Sequence, residues 1–402
     1  MSVLEESGRL ASNNLTPGYT TLAAAITASG ATTISVTTYA GFPASGNYYV
    51  MIDAEQLQVT AGQGTATWTV VRGTNGTTAA THLVDTYVFQ SATTVIPIMP
   101  TFFEPILARY NPALMRDSFE SFYESIIVSQ HSEIKGVKIP ATYEVLTWLL
   151  SWAVAAATPT VSGSVATWPF SPNLTADDLQ GAGAEFYTDT AAYHIAGLYC
   201  DQLVIENLRG TDSAQVTIDM LGQQAFLMGG KTPAITTPIS PVDTELNLIN
   251  PAYTKSYLDT TTIGTTLSND LSSWKLTIAN KWKQLFFLNG ILSPTGVARP
   301  TRTAAIEYIK WFDDNSELTA FMNTVGNGTK RKLRMLSTGP EIGTSGTNNS
   351  LQIDWYGYLK TGVFKADSDA VWFVTFAGDS VYEPSPGNSW SLELINGILS
   401  LT

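Results

Sequence analysis

The chain has 402 residues, 44% of them hydrophobic and only 14% charged, with a formal net charge of −13. That length predicts more than one folding unit, and the acid excess argues against any protein that grips nucleic acid by its phosphates. A single cysteine, Cys200, excludes an intrachain disulfide and a cysteine-based zinc site.

Residues 1–93 read as a small all-β accessory domain. "TTISVTTY" (32–39), "YYVMID" (48–53), "EQLQVTA" (55–61) and "ATWTVVRG" (66–73) alternate apolar and polar residues or are β-branched. Gly, Pro, Ser and Asn clusters separate them. Arg9 and Arg72 stand against five acids in this part. The N-terminus is acidic and has no apolar h-region, so a secretion signal is not expected and synthesis in a reducing cytoplasm is. "WTVVRGTNGTTAATH" (68–82) could be read as a phosphate-gripping loop. However, no helix follows to supply an anion site, and "TNGT" is turn chemistry, with Asn75-Gly76 suited to positive φ.

Residues 94–111 form a Pro-rich linker, with a short helix expected near 103–109. The first body domain, 112–268, carries a predicted helix at 142–157 and strands at 183–189, 193–208 and 214–222. Its apolar run 146–157 has twelve residues, too few to cross a bilayer, so a buried helix and no membrane insertion are expected. The irregular span 229–266 is long enough to predict a functional or interfacial loop. The second body domain, 269–402, predicts strands at 272–280, 283–289, 303–312, 329–337, 351–359, 370–377 and 389–396, with a helix at 316–325. "DQLVIEN" (201–207) and "WKLTIAN" (274–280) share x-Leu-(Val/Thr)-Ile-x-Asn, which hints at duplication. Residues 94–269 hold seven bases and seventeen acids; residues 270–402 hold twelve of each.

Catalytic patterns are scarce. His82, His131 and His194 match no metal or nucleophile spacing and read as strand or turn residues. "GGKT" (229–232) resembles the end of a phosphate loop, but Ala225 stands where the first glycine belongs and Pro233 follows. The acid pairs at 177–178, 313–314 and 367–369 lack further ligands. No cofactor and no metal are expected. Lys330, Lys332 and Arg334 fall on one face of a strand: either a solvated, ion-paired strand or a surface for the acidic half of a neighbouring copy. Trp168, Trp355 and Trp372 could line a saccharide cleft, although aromatics at strand spacing more often fill cores.

Residues 20–88 resemble a small module fused to tailed-phage structural proteins. The resemblance rests on Gly41-Phe42-Pro43, Ile52-Asp53-x-Glu55, Val71-Arg72-Gly73, Gly76-Thr77 and His82. Residues 112–402 resemble the major tail tube protein of long-tailed (siphovirus-type) bacteriophages. Here the order of parts carries it: the Leu/Trp/Ala-rich helix, "WPFSPNLTADDL", "YHIAGLYCDQLVIENLRGTDSAQVTIDMLG", "LSSWKLTIAN", "TRTAAIEYIKWFD", "LRMLSTGPEIG", "LQIDWYGYLKTG" and "DSDAVWFVTFAGDS".

The resemblance implies a mainly β fold, a barrel-forming β-sandwich with a flanking helix per domain, and no enzyme activity. It implies a virion subunit, assembled in the host cytoplasm, whose rings stack into a hollow tube for DNA passage. The implied partners are further copies of the chain, the tape measure, terminator and distal tail proteins, and phage DNA in transit without specific binding. The body's length and the Leu-x-Ile-x-Asn echo favour two tandem tube domains, hence three chains per pseudo-sixfold ring; six chains of one enlarged domain is the alternative. Candidate inter-ring or inter-subunit contacts are Trp168, Phe170, Thr244, Leu246, Tyr253, Tyr257, Lys330, Lys332 and Arg334. The competing class is a tail fibre or adhesin, though neither repeats nor heptads are visible.

Overall fold

Residues Gln215–Gly222, "QVTIDMLG", alternate half-buried and buried side chains at every step. This period of two recurs along the chain and makes it a mainly β protein. The computed structural model describes residues 8–11, 19–91, 94–95, 104–110, 126–154, 157–172, 181–187, 192–208, 213–223, 225–228, 240–241, 247–286, 288, 292, 294, 296–298, 301–311, 319, 321–322, 329–366 and 372–401.

The first strand, β1 (Gly8–Ala11), lies outside the small domain's own sheet. Six strands make that sheet: β2 (Tyr19–Thr21), β3 (Thr33–Ser35), β4 (Tyr48–Ile52), β5 (Glu55–Ala61), β6 (Thr67–Val71) and β7 (Tyr87–Gln90), in the order β2-β7-β4-β5-β6-β3. The sheet curls until its two edges meet, where Leu22 bridges Val36. Inside it, Leu22, Ile34, Val50, Leu57, Trp68 and Val88 form a core of their own. Four of these strands coincide with those read from the sequence.

The described residues of the linker are strands. After β8 (Thr94–Val95) comes β9 (Glu104–Tyr110), a strand where a short helix was expected. It ladders with β10 (Ile126–Pro140), and β10 is its one described partner. Proline is tolerated in a strand at a sheet edge, and Pro105 stands in register with Ser132. The helix α1 (Tyr143–Ala153) follows, with Thr142 as its N-cap accepting from the Val145 N–H; such a cap stabilises by about 1 kcal/mol.

The body continues through β11 (Thr160–Ser162), β12 (Val165–Phe170), β13 (Gly181–Tyr187), β14 (Ala192–Leu208), β15 (Gln215–Gly222), β16 (Ala225–Met228) and β17 (Ser240–Pro241). A 3-10 turn, Pro251–Tyr253, leads into β18 (Thr254–Asp259), β19 (Leu267–Ser268), β20 (Leu271–Ala279), β21 (Lys283–Leu285) and β22 (Gly296–Ala298). The last strands are β23 (Thr303–Trp311), β24 (Arg331–Glu341), β25 (Asn348–Ala366), β26 (Trp372–Ser380) and β27 (Trp390–Asn396). Residues 319, 321 and 322, within the predicted helix 316–325, are helical.

The ladders run antiparallel through β9-β10-β15-β14-β20-β23-β26-β25-β24-β18. A side branch runs from β25 through β27 and β12 to β11. The long strand β25 switches partners at Gly357, from β24 and β27 before it to β26 after it. A Cβ there would sit 2.2 Å from the Asp379 carbonyl oxygen and 2.5 Å from the Trp355 ring, so the crossing needs glycine. The helix α1 packs against β12, β14, β25 and β27, and all eleven of its residues are buried. It is enclosed by the strands rather than flanking them, because its polar side has partners too: Asn396 Nδ2 donates to the Tyr143 carbonyl (2.8 Å) and Thr147 Oγ1 (2.6 Å).

One core cluster runs from Ile134 to Leu394, across the boundary expected at 268/269. The joint is the β14–β20 ladder, and its strands are the two that share the Leu-x-Ile-x-Asn pattern. They pair antiparallel, Leu203 with Ile278 and Asn207 with Trp274. Residues 254–259 of the predicted loop 229–266 are likewise a body strand, with Leu258 opposite Leu333 of β24. The expected domain limits are also crossed at the N-terminus, where β1 ladders with β13 of the body.

Candidate functional site

The best-developed cluster of charged side chains lies inside the small domain. Glu55 opens β5 directly after the β4–β5 turn, where Asp53 takes a φ of 53°. Arg72 follows β6, and His82 bridges Ile26. Folding brings the three together. Glu55 Oε1 accepts from Arg72 Nε at 2.6 Å and from the Gly73 N–H at 3.0 Å. Its Oε2 accepts from Arg72 Nη2 at 2.6 Å, the Ala80 N–H at 3.0 Å and His82 Nε2 at 2.9 Å. His82 Nδ1 meets Asp53 Oδ2 at 2.8 Å. Arg72 also donates to the carbonyls of Ala28, Ala31 and Ala80.

Both His82 nitrogens face carboxylates, so the imidazolium suits the site. Burial works against that charge, but the hydrogen bonds to Glu55 and Asp53 outweigh it and hold the His82 pKa above its ordinary value. Burial alone would raise the Glu55 carboxyl, yet the bonds from Arg72, His82, Ala80 and Gly73 bring it down to about 2. The side chains of Arg72, Glu55 and His82 are all buried. The cluster therefore clamps the loop 73–82 to the barrel wall and presents no reacting atom to a substrate. The turn inside that loop has Asn75 and Gly76 at positive φ, 52° and 83°, as the sequence predicts.

The predicted contact residues divide three ways. Trp168 and Phe170 are each 1% exposed, so they have no surface left for a neighbour. They stack on one another at 6.4 Å in the core, and the Trp168 indole N–H donates to the Ile398 carbonyl. Their assignment as contacts is corrected: on β12 they are inward-facing core residues, and Trp355 is buried likewise. The basic strand is satisfied within the chain. Lys330 and Lys332 both reach Glu383, at 2.6 and 2.7 Å, and Arg334 forms a two-pronged pair with Asp354 at 2.7 Å on each oxygen. The solvated, ion-paired reading holds for this face; it is not a free patch for an acidic neighbour. Tyr253 stays 66% exposed at the end of the 3-10 turn, and Tyr257 lies on β18 opposite Arg334. Thr244 and Leu246 lie outside the described residues, as does "GGKT" (229–232).

A surface the sequence did not single out is the arm formed by the ends of β25 and β26. Phe364 pairs with Val374 and Ala366 with Trp372. Alternation therefore puts Phe364 and Trp372 on the face that buries Val374 and Phe376 further in. On the opposite face, Val363 lies opposite Thr375, and Trp311 of β23 lies opposite Phe373. Val363, Phe364, Trp372 and Trp311 are 50, 43, 53 and 51% exposed. The signal was available in the sequence as "KTGVFKADSDAVWFV", where contiguous apolar residues put apolar side chains on both faces of the strands.

Among the described residues no group of three or more His, Cys, Asp or Glu side chains could hold a metal, and no helix is long and apolar enough to cross a membrane. Cys200 is buried, and burial pushes its thiol pKa well up, away from nucleophile chemistry. No protein-family model matches this chain, and no curated protein matches it.

Proposed function

We propose that this chain is a structural subunit of a phage virion that polymerises into stacked rings and forms the hollow tail tube. DNA passes through the tube without being bound. The observation that carries this reading is the β25–β26 arm, which leaves Val363 and Trp372 about half exposed near Trp311. A lone subunit gains nothing from such a surface, whereas a subunit that lays its arm on a neighbour buries it. The residues of the 20–88 module and the order of parts in the body support the same reading, as does the net charge of −13, which keeps DNA from adhering. The ring would hold three chains if each carries two tube domains, and six if each carries one. Further partners would be the tape measure, terminator and distal tail proteins. Negative-stain microscopy of the purified chain tests the proposal: hollow tubes are expected, and fibres or compact particles at high concentration would overturn it.

A further inference from the structure

A second apolar surface stands apart from the arm. The β21–β22 hairpin pairs Lys283–Leu285 with Gly296–Ala298 in a two-stranded sheet of its own, outside the body's ladders. Its root is fixed. The Trp282 N–H donates to Asp201 Oδ1 at 2.8 Å, the Trp282 indole N–H to the Cys200 carbonyl at 2.8 Å, and Gln284 Nε2 to the Gly222 carbonyl at 2.8 Å. The returning side is tied as well. The Gln130 N–H donates to the Leu292 carbonyl at 3.0 Å, and Gln223 Nε2 to that of Pro294 at 3.1 Å. The hairpin is therefore held out from β10, β14 and β15 at a set position.

What it holds out is apolar. From the last residue of β21 the sequence runs "LFFLNGIL" (285–292), without a charge. Leu288 is fully exposed, and Leu285, Phe286 and Leu292 are 36, 44 and 40% exposed. Leu285 ends β21 and Phe286 follows it. Successive residues of an extended chain face opposite ways, so apolar surface is offered on more than one side. A neighbouring protein face covers one side of such a hairpin, whereas a fluid apolar phase covers them all.

Charge narrows the class of surface. Residues 271–306 hold five of the chain's 21 basic residues and none of its 34 acids. Two of the five, Lys281 and Lys283, are exposed at the hairpin root. The acids grouped around Asp201 are engaged within the chain. Asp201 accepts from the Trp282 N–H and Asp219 from the Gly136 N–H, while Glu133 pairs with Lys135 and with His131, whose ring lies 6.4 Å from that of Phe286. An exposed apolar tip above two lysines, in a chain that is otherwise strongly acidic, is complementary to anionic headgroups over hydrocarbon.

We infer that the β21–β22 hairpin is a lipid anchor, whose tip enters the surface of an anionic phospholipid bilayer with Lys281 and Lys283 on the headgroups. The contact is peripheral and not a span, and it does not rest on the tube reading.

Vesicle flotation of the full-length chain tests it, because vesicle-bound protein rises in a density gradient while protein polymers sink. Flotation is expected with vesicles of equimolar phosphatidylglycerol and phosphatidylcholine, and not with phosphatidylcholine alone. Leu288→Asp should weaken binding about tenfold or more, and Lys281→Gln and Lys283→Gln about fivefold each. All three positions are exposed, so the unfolding midpoint should stay that of wild type. Thr32→Asp, the same charge change at an exposed position of the small domain, should float as wild type does. An environment-sensitive dye on Leu288→Cys reports the tip directly, since Cys200 is buried. Its emission should shift to the blue when anionic vesicles are added. No flotation with anionic vesicles, or equal flotation of Leu288→Asp, overturns the inference. A blue shift that instead grows with protein concentration in the absence of lipid overturns it in favour of a second copy on the tip.

Discussion

Arg72, Glu55 and His82 show how a charged signature can be structural. The Arg72–Glu55 pair is buried on both sides, so removing Arg72 leaves the buried Glu55 carboxylate with His82 as its one remaining cationic partner. Arg72→Met should therefore destabilise the small barrel by about 3–5 kcal/mol. Arg72→Met combined with Glu55→Gln should cost less than Arg72→Met alone, because no buried carboxylate is then left without its two guanidinium donors, and His82 keeps Asp53. Hydrogen exchange over β4 and β5, read by mass spectrometry, measures both. The pH dependence has two limbs. The Glu55 pKa is lowered from 4.5, so its contribution is complete above that value and is lost as pH falls toward about 2. The His82 pKa is raised above 6.5, so its contribution is complete below 6.5 and is lost as pH rises through the folded value. Protection of β4 and β5, corrected for intrinsic exchange, should thus be greatest between roughly pH 4.5 and 6.5. In His82→Asn the decline on the alkaline side should vanish; a decline that persists would place the titrating group elsewhere. The clamp was not legible in sequence because its members are far apart along the chain. What could have pointed to it is scarcity: few charges occur in residues 19–91, and three of them fall in the motif set.

Secondary structure was most legible where alternation is unbroken. β15, β20 and β24 each show inward and outward residues in turn, and the sequence predicts all three. β10 was missed for a physical reason. Its ladder with β15 shifts register between Ile134 and Val137, around Gly136 at a φ of 65°, so the inward parity changes mid-strand and no single period of two runs through it. β18 was hidden in a polar stretch because only Ser256 and Asp259 of its six residues are buried. The β26 side of the arm was legible as strand, whereas residues 360–366 of β25 run beyond the predicted strand 351–359; neither side was legible as surface, since alternation alone does not say where the core ends. Its apolar residues yield a prediction at this scale. Val363→Asp and Trp372→Glu remove exposed apolar groups without emptying the core, so each should change stability by less than about 0.5 kcal/mol. Each should also abolish polymerisation, as judged by sedimentation velocity. Loss of thermal stability in step with loss of assembly would mean that the arm matters only for folding.

For the whole molecule, charge and symmetry lead to separate tests. On the proposed tube reading, a chain at −13 should retain no duplex in a fluorescence anisotropy titration, even at low salt where phosphate contacts are strongest. Tight binding there would contradict the passage reading. Symmetry bears on how many chains close a ring. Domains repeated around a ring axis are related by rotation about it, so equivalent strands in the tube wall run in the same direction. The two strands that share Leu-x-Ile-x-Asn run antiparallel within one ladder, as a local twofold would relate them. They are therefore not equivalent positions of two domains repeated about a tube axis, and the sequence echo carries no weight for duplication. One core cluster spans both halves, with α1 enclosed in it. If the chain forms the proposed rings, these features favour one enlarged domain per chain and hence six chains per sixfold ring. Cryo-electron microscopy of assembled tubes should show six identical subunits per ring. Three subunits, each filling two similar wall segments, would restore the tandem-domain organisation and require that the repeat be carried by strands other than β14 and β20.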